Sequence, residues 1–495
     1  MKAKEVNKMM EQPQYDIQPK QFINGRWIDG TSSKVLPDTN PYDQSIIFKM
    51  PLASPAEVDQ AYGAAEAAQQ SWRQTPAGER GKLIQKVASI IETRKEEIID
   101  WLVKETGSTR IKAEIEWNAI LGCANTWSHM PQHLTGQILT DDRPGKYSFV
   151  FKEPIGVIGV ISPWNFPLIL SIRSVIPAIA LGNTVVLKPS SESPVTGALL
   201  VVKMFEEAGC PEGVINAVVG AGSEIGDYFV QHPTPRLISF TGSTEVGKRV
   251  GQCALTGTCI KRLSLELGGN SPLVVLDDAN VEAAAGAAVI GRFLHQGQIC
   301  MSVNRLIVDQ SVHRKFIEMF VDGVSKLKVG NPAEPDTIIG PIINQAQLNG
   351  LKEKIRASQS GDTRLLYGGE SDGLLLPPHI FSPVDSNHIL NREETFGPLV
   401  PITIAENEEH ALSLANDTEH GLSSAVFTEN MDRGLNFARN IYAGMTHIND
   451  ITVDDQPLAP FGGEKNSGLG RFNGDYLMEE FTRAHWITWQ RTMGG

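Results

Sequence analysis

The chain lacks paired thiols. Its five cysteines, Cys123, Cys210, Cys253, Cys259 and Cys300, are odd in number and scattered, and no C-x-x-C occurs. That excludes a disulfide scaffold or zinc ribbon and predicts reduced thiols in a cytoplasmic compartment. A basic excess is also missing. Lys and Arg number 44 against 57 Asp and Glu, giving a formal charge of −13, so no nucleic acid and no anionic membrane surface is expected as a partner. The most apolar stretch, residues 155–187, is broken by Pro163, Asn165, Pro167, Arg173 and Pro177, whereas a membrane span needs about 20 mostly apolar residues. Residues 1–20 are polar, carry no signal-like apolar core and read as a loose arm. No repeat is apparent. At 495 residues and 41% hydrophobic, the chain has room for roughly two to four domains or subdomains.

Ser54-Pro55 with Glu57 supplies an N-cap, a proline at the first helical position and a capping box for a helix to Trp72. Ile84, Val87, Ile90, Ile91, Ile98, Ile99 and Leu102 keep a helical period over 83–103. From Gly156 onward, β-rich runs at 157–161, 184–187, 215–219 and 237–240 alternate with helical patterns near 167–181, 194–208 and 223–231. Such alternation with apolar strands predicts a parallel sheet covered on both faces. A second α/β block starts at Leu273. Asn280 is expected to cap one helix and Ser311 another, with further strands near 305–308, 400–404, 425–428 and 445–449. Residues 137–153 flank Asp142-Arg143-Pro144-Gly145, a hairpin signal that could serve a partner chain.

Several residue types could carry chemistry. Cys300, after Gly297-Gln298-Ile299, is expected to be sterically open and acidified by local dipoles; alone, it equally reads as a small buried hydrophobe. Glu266, between leucines at a strand end, suits a general base if burial raises its pKa, or is simply a solvated strand end. Gly242-Ser243-Thr244-Glu245-Val246-Gly247 follows a strand and opens a helix, so its amides could hold a pyrophosphate. Pro163-Trp164-Asn165-Phe166-Pro167 offers a fixed amide donor. Lys188 and Glu394 could reach a ribose, or be surface charges. His295 reads as a polar helix-end residue. Asn165, Lys188, Gly242, Glu266 and Cys300 all fall at C-terminal ends of predicted strands or just beyond, the ligand edge of open α/β sheets.

The motifs PWNFP (163–167), FTGSTEVG (240–247), LELGGNSP (265–272), GQIC (297–300), EETFGP (393–398) and PFGGEKNSGLGR (460–471) together resemble the aldehyde dehydrogenase superfamily from about Phe22 to Arg471. The resemblance implies an α/β, aldehyde dehydrogenase-like fold with a Rossmann-like NAD(P) domain (18–133 and 154–267), a catalytic α/β domain (268–477) and a small β oligomerisation flap (134–153 and 478–495), in a homodimer or homotetramer. It implies Cys300 as nucleophile, Asn165 as oxyanion donor and Glu266 as the base of the hydrolytic step. Cofactor contacts would come from Trp164, Lys188, Ser191, Gly242, Ser243, Gly247, Glu394 and Phe396. No metal is implied. Ser191 stands where NAD-preferring members often have Glu, so NADP is expected to be tolerated beside NAD. Phe472 stands where many members have Glu, which puts a proton relay through that carboxylate in doubt. An apolar tunnel of Phe166, Ile169, Leu170, Leu294, Ile299, Met301 and Phe461, with Arg173 facing a substrate phenol or carboxylate or forming a salt bridge at the mouth, suggests an aromatic aldehyde. The stretches 165–174 and 449–460 look like the benzaldehyde, vanillin and salicylaldehyde dehydrogenases. An aliphatic aldehyde or semialdehyde, or a low-turnover structural role, is the alternative.

Overall fold

The computed structural model describes residues 13–359 and 362–491; residues 1–12 of the expected arm and 492–495 of the expected flap lie outside them. Residues 13–20 are docked rather than loose. The Tyr15 N–H donates to Glu97 at 2.6 Å, its hydroxyl to Glu207, and the Arg94 guanidinium lies 3.6 Å from its ring centre.

Ser54 and Glu57 form the capping box that opens the helix Pro55–Trp72. The periodic pattern over 83–103 is two helices, Ala77–Thr93 and Lys95–Thr106, separated at Arg94 (φ −101°, ψ 23°). Arg94 is pinned there by Glu97 at 2.8 Å and Glu207 at 2.9 Å. Both helices bury their apolar stripe in one core, so the spacing runs through the break. Asn280 caps Val281–Phe293 as expected. Ser311 does not cap the next helix, His313–Ser325: its N–H and hydroxyl both donate to Asp309 Oδ1, at 2.8 and 2.6 Å, and close a turn instead.

Two large sheets organise the described residues. Across the first, the order is Arg26–Ile28, Gln21–Ile23, Ile215–Ala217, Thr184–Lys188, Val157–Ile161, Leu237–Thr241, Arg262–Glu266 and Gly468–Leu469. The five strands from Ile215–Ala217 to Arg262–Glu266 are parallel and the additions at both edges antiparallel. Pro167–Ala180, which leaves the central strand, is buried on every side. That is why the sequence there is apolar without amphipathic spacing. Its N-terminus is held by buried Glu116, which accepts from the N–H groups of Leu168 and Ile169 at 2.9 and 3.1 Å and pairs with Lys112 at 2.6 Å. The second sheet runs Arg364–Tyr367, His379–Ser382, Leu399–Ala405, Val303–Asp309, Ser271–Val275, Ala425–Phe427, His447–Ile448, parallel except for its first pair.

The hairpin Gln137–Leu139 with Lys146–Pro154 forms, and Thr482–Gln490 of the same chain pairs along its other edge. The register puts Ile138, Tyr147, Phe151, Ile487 and Trp489 on one face, and all five are exposed, Ile138 by 82% and Trp489 by 58%. Among the described residues, no helix is long and apolar enough to cross a membrane.

Candidate active site at the strand-end crevice

In the first sheet the chain travels outward from Val157–Ile161 in one direction, then returns to add Leu237–Thr241 on its other side. The crevice beyond such a reversal is where open α/β sheets bind ligands. Register aligns Ile161 with Lys188 and Phe240, and Thr241 with Glu266. The loops leaving the two central strands line one cavity of about 430 Å³, and Cys300 of the second block closes it.

Of the expected site residues, Trp164, Asn165, Leu170, Gly242, Ser243, Cys300, Glu394 and Phe396 line this cavity. Trp164 and Phe396 meet edge to face, ring centres 5.5 Å apart. The Asn165 side-chain amide donates to the Gln298 carbonyl at 3.0 Å, which leaves its second N–H uncommitted. Ser243 caps the helix Thr244–Thr256. Glu266, Lys188, Ser191 and Gly247 are not in the cavity wall. Lys188 is buried at its strand end, its ammonium on the Pro189 carbonyl at 3.3 Å, and burial pulls its pKa down to about 8. Gly247 is a packing glycine: a Cβ there would lie 2.2 Å from Leu267. Ile169, Ile299, Met301 and Phe461 are buried, and Phe166 and Leu294 half-buried, in the same apolar body as Leu170. They back the cysteine rather than wall the cavity.

Cys300 follows a turn in which His295, Gln296 and Gly297 all take positive φ (50°, 56° and 73°). The turn is tied down on several sides. Gln298 Oε1 accepts from the Ile343 N–H at 3.0 Å, Gln296 donates to the Pro341 carbonyl at 2.9 Å, and buried Arg292 donates to Asn304 Oδ1 and to the carbonyls of Thr395 and Gly397. The thiol is not acidified as expected. Burial, then the nearby carboxylates of Glu266 and Glu394, push it up, while Arg173 and the Met301 N–H oppose them. The local dipole expected to acidify it is present as the Met301 N–H, but burial and the two carboxylates outweigh it. His295 is likewise not a polar helix end. It is fully buried, edge-on to Phe166 with ring centres 5.6 Å apart, and burial holds it neutral.

Glu266 does show the elevated pKa expected of it. It is buried, and burial raises it to about 7 against the pull of Arg173. Glu394 accepts from the Gly269 N–H at 2.9 Å and is also raised to about 7 by burial. A Cβ on Gly268 would lie 2.5 Å from that carboxylate. Arg173 forms the salt bridge expected as one alternative, but buried and away from the cavity wall. It is 2% exposed and lies between Glu266, at 3.1 Å, and Asp455, with its guanidinium 4.0 Å from the centre of the Phe461 ring. Phe472 is buried close by, its guanidinium-to-ring distance from Arg173 being 6.0 Å.

Gly269 sets the cysteine's position from the opposite side. A Cβ there would fall 2.2 Å from the Cys300 carbonyl oxygen, a backbone atom that cannot rotate away. Gly269→Ala is therefore expected to lower kcat about 100-fold, the scale of a 1 Å misplacement, with melting temperature measured alongside to separate misplacement from unfolding.

A sequence model of the aldehyde dehydrogenase family matches residues 27–487. The chain belongs to that family. It is 51% identical over 473 residues to a vanillin dehydrogenase of Corynebacterium glutamicum, covering 96% of this chain and 98% of that one. It is 45% identical over 478 residues to a benzaldehyde dehydrogenase of Bacillus subtilis, covering 96% and 98%. Among solved structures, an NAD-dependent benzaldehyde dehydrogenase from Corynebacterium glutamicum matches with TM-score 0.90 at 48% identity over 97% of this chain and 98% of that one. A betaine aldehyde dehydrogenase from Staphylococcus aureus in complex with NAD+ matches with TM-score 0.93 at 31% identity over 97% and 96%.

The aldehyde dehydrogenase crevice in this chain fits a dinucleotide. The N-terminus of the helix Thr244–Thr256, the buried Glu394 carboxylate and the Trp164 and Phe396 rings all border it. Sequence reading missed a further part of the lining, Ala346, Gln347, Gly350, Leu351 and Lys354 of the helix Gln345–Ala357, which packs against the Glu394 segment. Its small and polar residues give no local sign of a ligand. It also missed Asp455, whose tie to Arg173 spans 282 positions.

Proposed function

We propose that this chain oxidises an aromatic aldehyde to the carboxylic acid, with NAD or NADP as acceptor. The observation that supports this most directly is the single cavity shared by Cys300, Asn165, the Gly242-Ser243 turn and Glu394, beyond strands one of which ends in Glu266. Trp164 and Phe396 would pack the cofactor, Glu394 would take ribose hydroxyls, and Gly242 and Ser243 would receive the phosphates. Lys188 and Ser191, outside the cavity wall at the end of the neighbouring strand, would take the far ribose, and Gly247 lets the phosphate helix lie close to the sheet.

Cys300 gives up its proton to solvent water and its sulfur bonds the aldehyde carbon. The carbonyl oxygen gains the negative charge, and the free N–H of Asn165 with the Cys300 backbone N–H hold it, each such donor contributing about 2.7–4 kcal/mol in comparable sites. Bound in the crevice, NAD(P) supplies the acceptor for the hydride that leaves the aldehyde carbon. Glu266 then takes a proton from water as its oxygen adds to the Cys300 thioester, and the thiolate leaves as the acid is released. A carboxylate with a pKa near 7 is matched to that task.

The names of the relatives and the apolar body behind Cys300 support an aromatic substrate. A panel of benzaldehyde, vanillin, salicylaldehyde and acetaldehyde with both cofactors tests this. Benzaldehyde should exceed acetaldehyde in kcat/KM by more than tenfold, and NADP should fall within about a thousandfold of NAD, a gap of roughly 4 kcal/mol. The reverse ranking sinks the substrate assignment, and a wider cofactor gap sinks the role given to Ser191.

The two sheets support a cofactor domain of 18–133 with 154–267 and a catalytic domain of 268–477, although Gly468–Leu469 of the latter joins the first sheet. The exposed apolar face of the three-stranded sheet supports a flap, 134–153 with 478–495, in a homodimer or homotetramer. Ile138→Lys with Trp489→Lys is expected to shift the molecule to monomer in sedimentation velocity. The five unpaired cysteines support a cytoplasmic location.

A further inference from the structure

Glu266 is held by one of its two oxygens. Oε2 accepts from Arg173 Nη1 at 3.1 Å, while Oε1 is buried with no hydrogen-bond partner. The other arm of the Arg173 fork, Nη2, is on Asp455 Oδ2. Asp455 Oδ1 in turn accepts from the Asn473 amide at 2.7 Å. Arg173 is therefore shared between two carboxylates in a buried chain, and its flat face is fixed over Phe461 at 4.0 Å. The chain reaches the surface only at Asp455, whose side chain is 19% exposed.

We propose that Arg173 and Asp455 are a positioning pair for the general base: Arg173 fixes the orientation of the Glu266 carboxylate, and Asp455 draws off part of the Arg173 charge so that Glu266 stays basic enough to take a proton from water. This rests on the proposed role of Glu266. Neither residue touches substrate; both act through Glu266. An undivided guanidinium on a buried carboxylate would hold it ionised and poorly basic, whereas no guanidinium would leave it protonated at neutral pH. A shared one gives an intermediate condition.

The charged and titratable groups facing this carboxylate come from several elements. They are Arg173 on the helix Pro167–Ala180, Asp455 and Arg471 on the C-terminal segments, and Cys300 on the nucleophile turn; Cys123 on the helix Arg110–Trp127 faces Arg173 and Asp455. Only Arg173 and Asp455 have contacts that place them in one hydrogen-bonded line with Glu266. The two therefore carry opposite signs. Removing Arg173 leaves burial and the Asp455 charge both disfavouring the Glu266 carboxylate. Neutralising Asp455 removes one negative charge and releases the whole of Arg173 to Glu266.

The test is the pH profile of steady-state benzaldehyde oxidation, from pH 5.5 to 9.5, on the full chain carrying Arg173→Met, Arg173→Lys or Asp455→Asn, beside wild type and Glu266→Gln. Arg173→Met should move the acidic limb up by about one pH unit or more, the scale of one neighbouring charge. Asp455→Asn should move it down by a measurable fraction of a unit. Arg173→Lys keeps the charge but not the fork, so it should keep the limb within a few tenths of wild type while lowering kcat. Limbs that stay at the wild-type position in both charge-removing variants, or that move in the same direction, overturn the pairing. Should Arg173→Met not fold, the downward shift in Asp455→Asn is required on its own, and its absence overturns the proposal. A wild type that oxidises no aldehyde, or a Glu266→Gln variant as fast as wild type, refutes the proposed function instead.

Discussion

Cys300→Ala is expected to abolish aldehyde oxidation, by about 10⁴-fold or more in kcat/KM, the scale of removing a nucleophile from a covalent mechanism. The other groups of the site cannot compensate, because they all act on the adduct that the sulfur makes. Asn165 and the cysteine's own N–H await an oxyanion, and Glu266 serves a thioester. Cofactor binding should survive, since the phosphate, ribose and aromatic contacts come from other residues of the cavity wall. Trp164, in that wall, gives the readout: quenching of its fluorescence by NAD should be unchanged in the variant. Cys300→Ser should be almost as inactive, because a serine hydroxyl ionises far less readily than a thiol and the site already disfavours ionisation at this position. Full activity in either variant would remove the cysteine from the mechanism.

Glu266→Gln should act at a different step. Glutamine keeps the size of the side chain and an acceptor for Arg173 but cannot take a proton from water. The first turnover should therefore appear as a rapid burst of reduced cofactor, about equal to the enzyme concentration, followed by a steady rate lower by roughly 10²–10⁴-fold, the usual contribution of a general base. In wild type the same group should set the acidic limb of the steady rate. Burial raises Glu266 to about 7. Above that pH it is ionised and able to accept a proton; below it the carboxyl is protonated, and the rate should fall tenfold per pH unit. Stopped-flow absorbance at several pH values checks both claims. A variant that loses burst and steady rate equally would place Glu266 before the thioester rather than after it.

Much of the site was legible because its residues cluster in short motifs at strand ends. A glycine or proline within three residues of each reactive side chain marks a place where backbone direction has to be set. Gly268 and Gly269, for instance, stand against Glu394 and the Cys300 carbonyl. The electrostatics were less legible. Nothing around Arg173 names Asp455, since the two meet only after both sheets have formed. The state of Cys300 likewise depends on carboxylates supplied by two distant segments. Local periodicity fared similarly in the fold. It carried through Arg94 because two helices share a core, and Ser311 looked like a cap because the competing acceptor, Asp309, was two residues away on a strand end.

The pairing of Gly468–Leu469 with Leu265–Glu266 has a consequence for biosynthesis. The strand that ends in Glu266 leaves the ribosome long before its outer neighbour. While the entire second sheet is translated, its backbone donors and acceptors on that side stay unpaired, an open template for aggregation. Recombinant yield should therefore depend on slow translation or a holdase chaperone, and truncation before Gly468 should give inclusion bodies rather than a smaller folded enzyme.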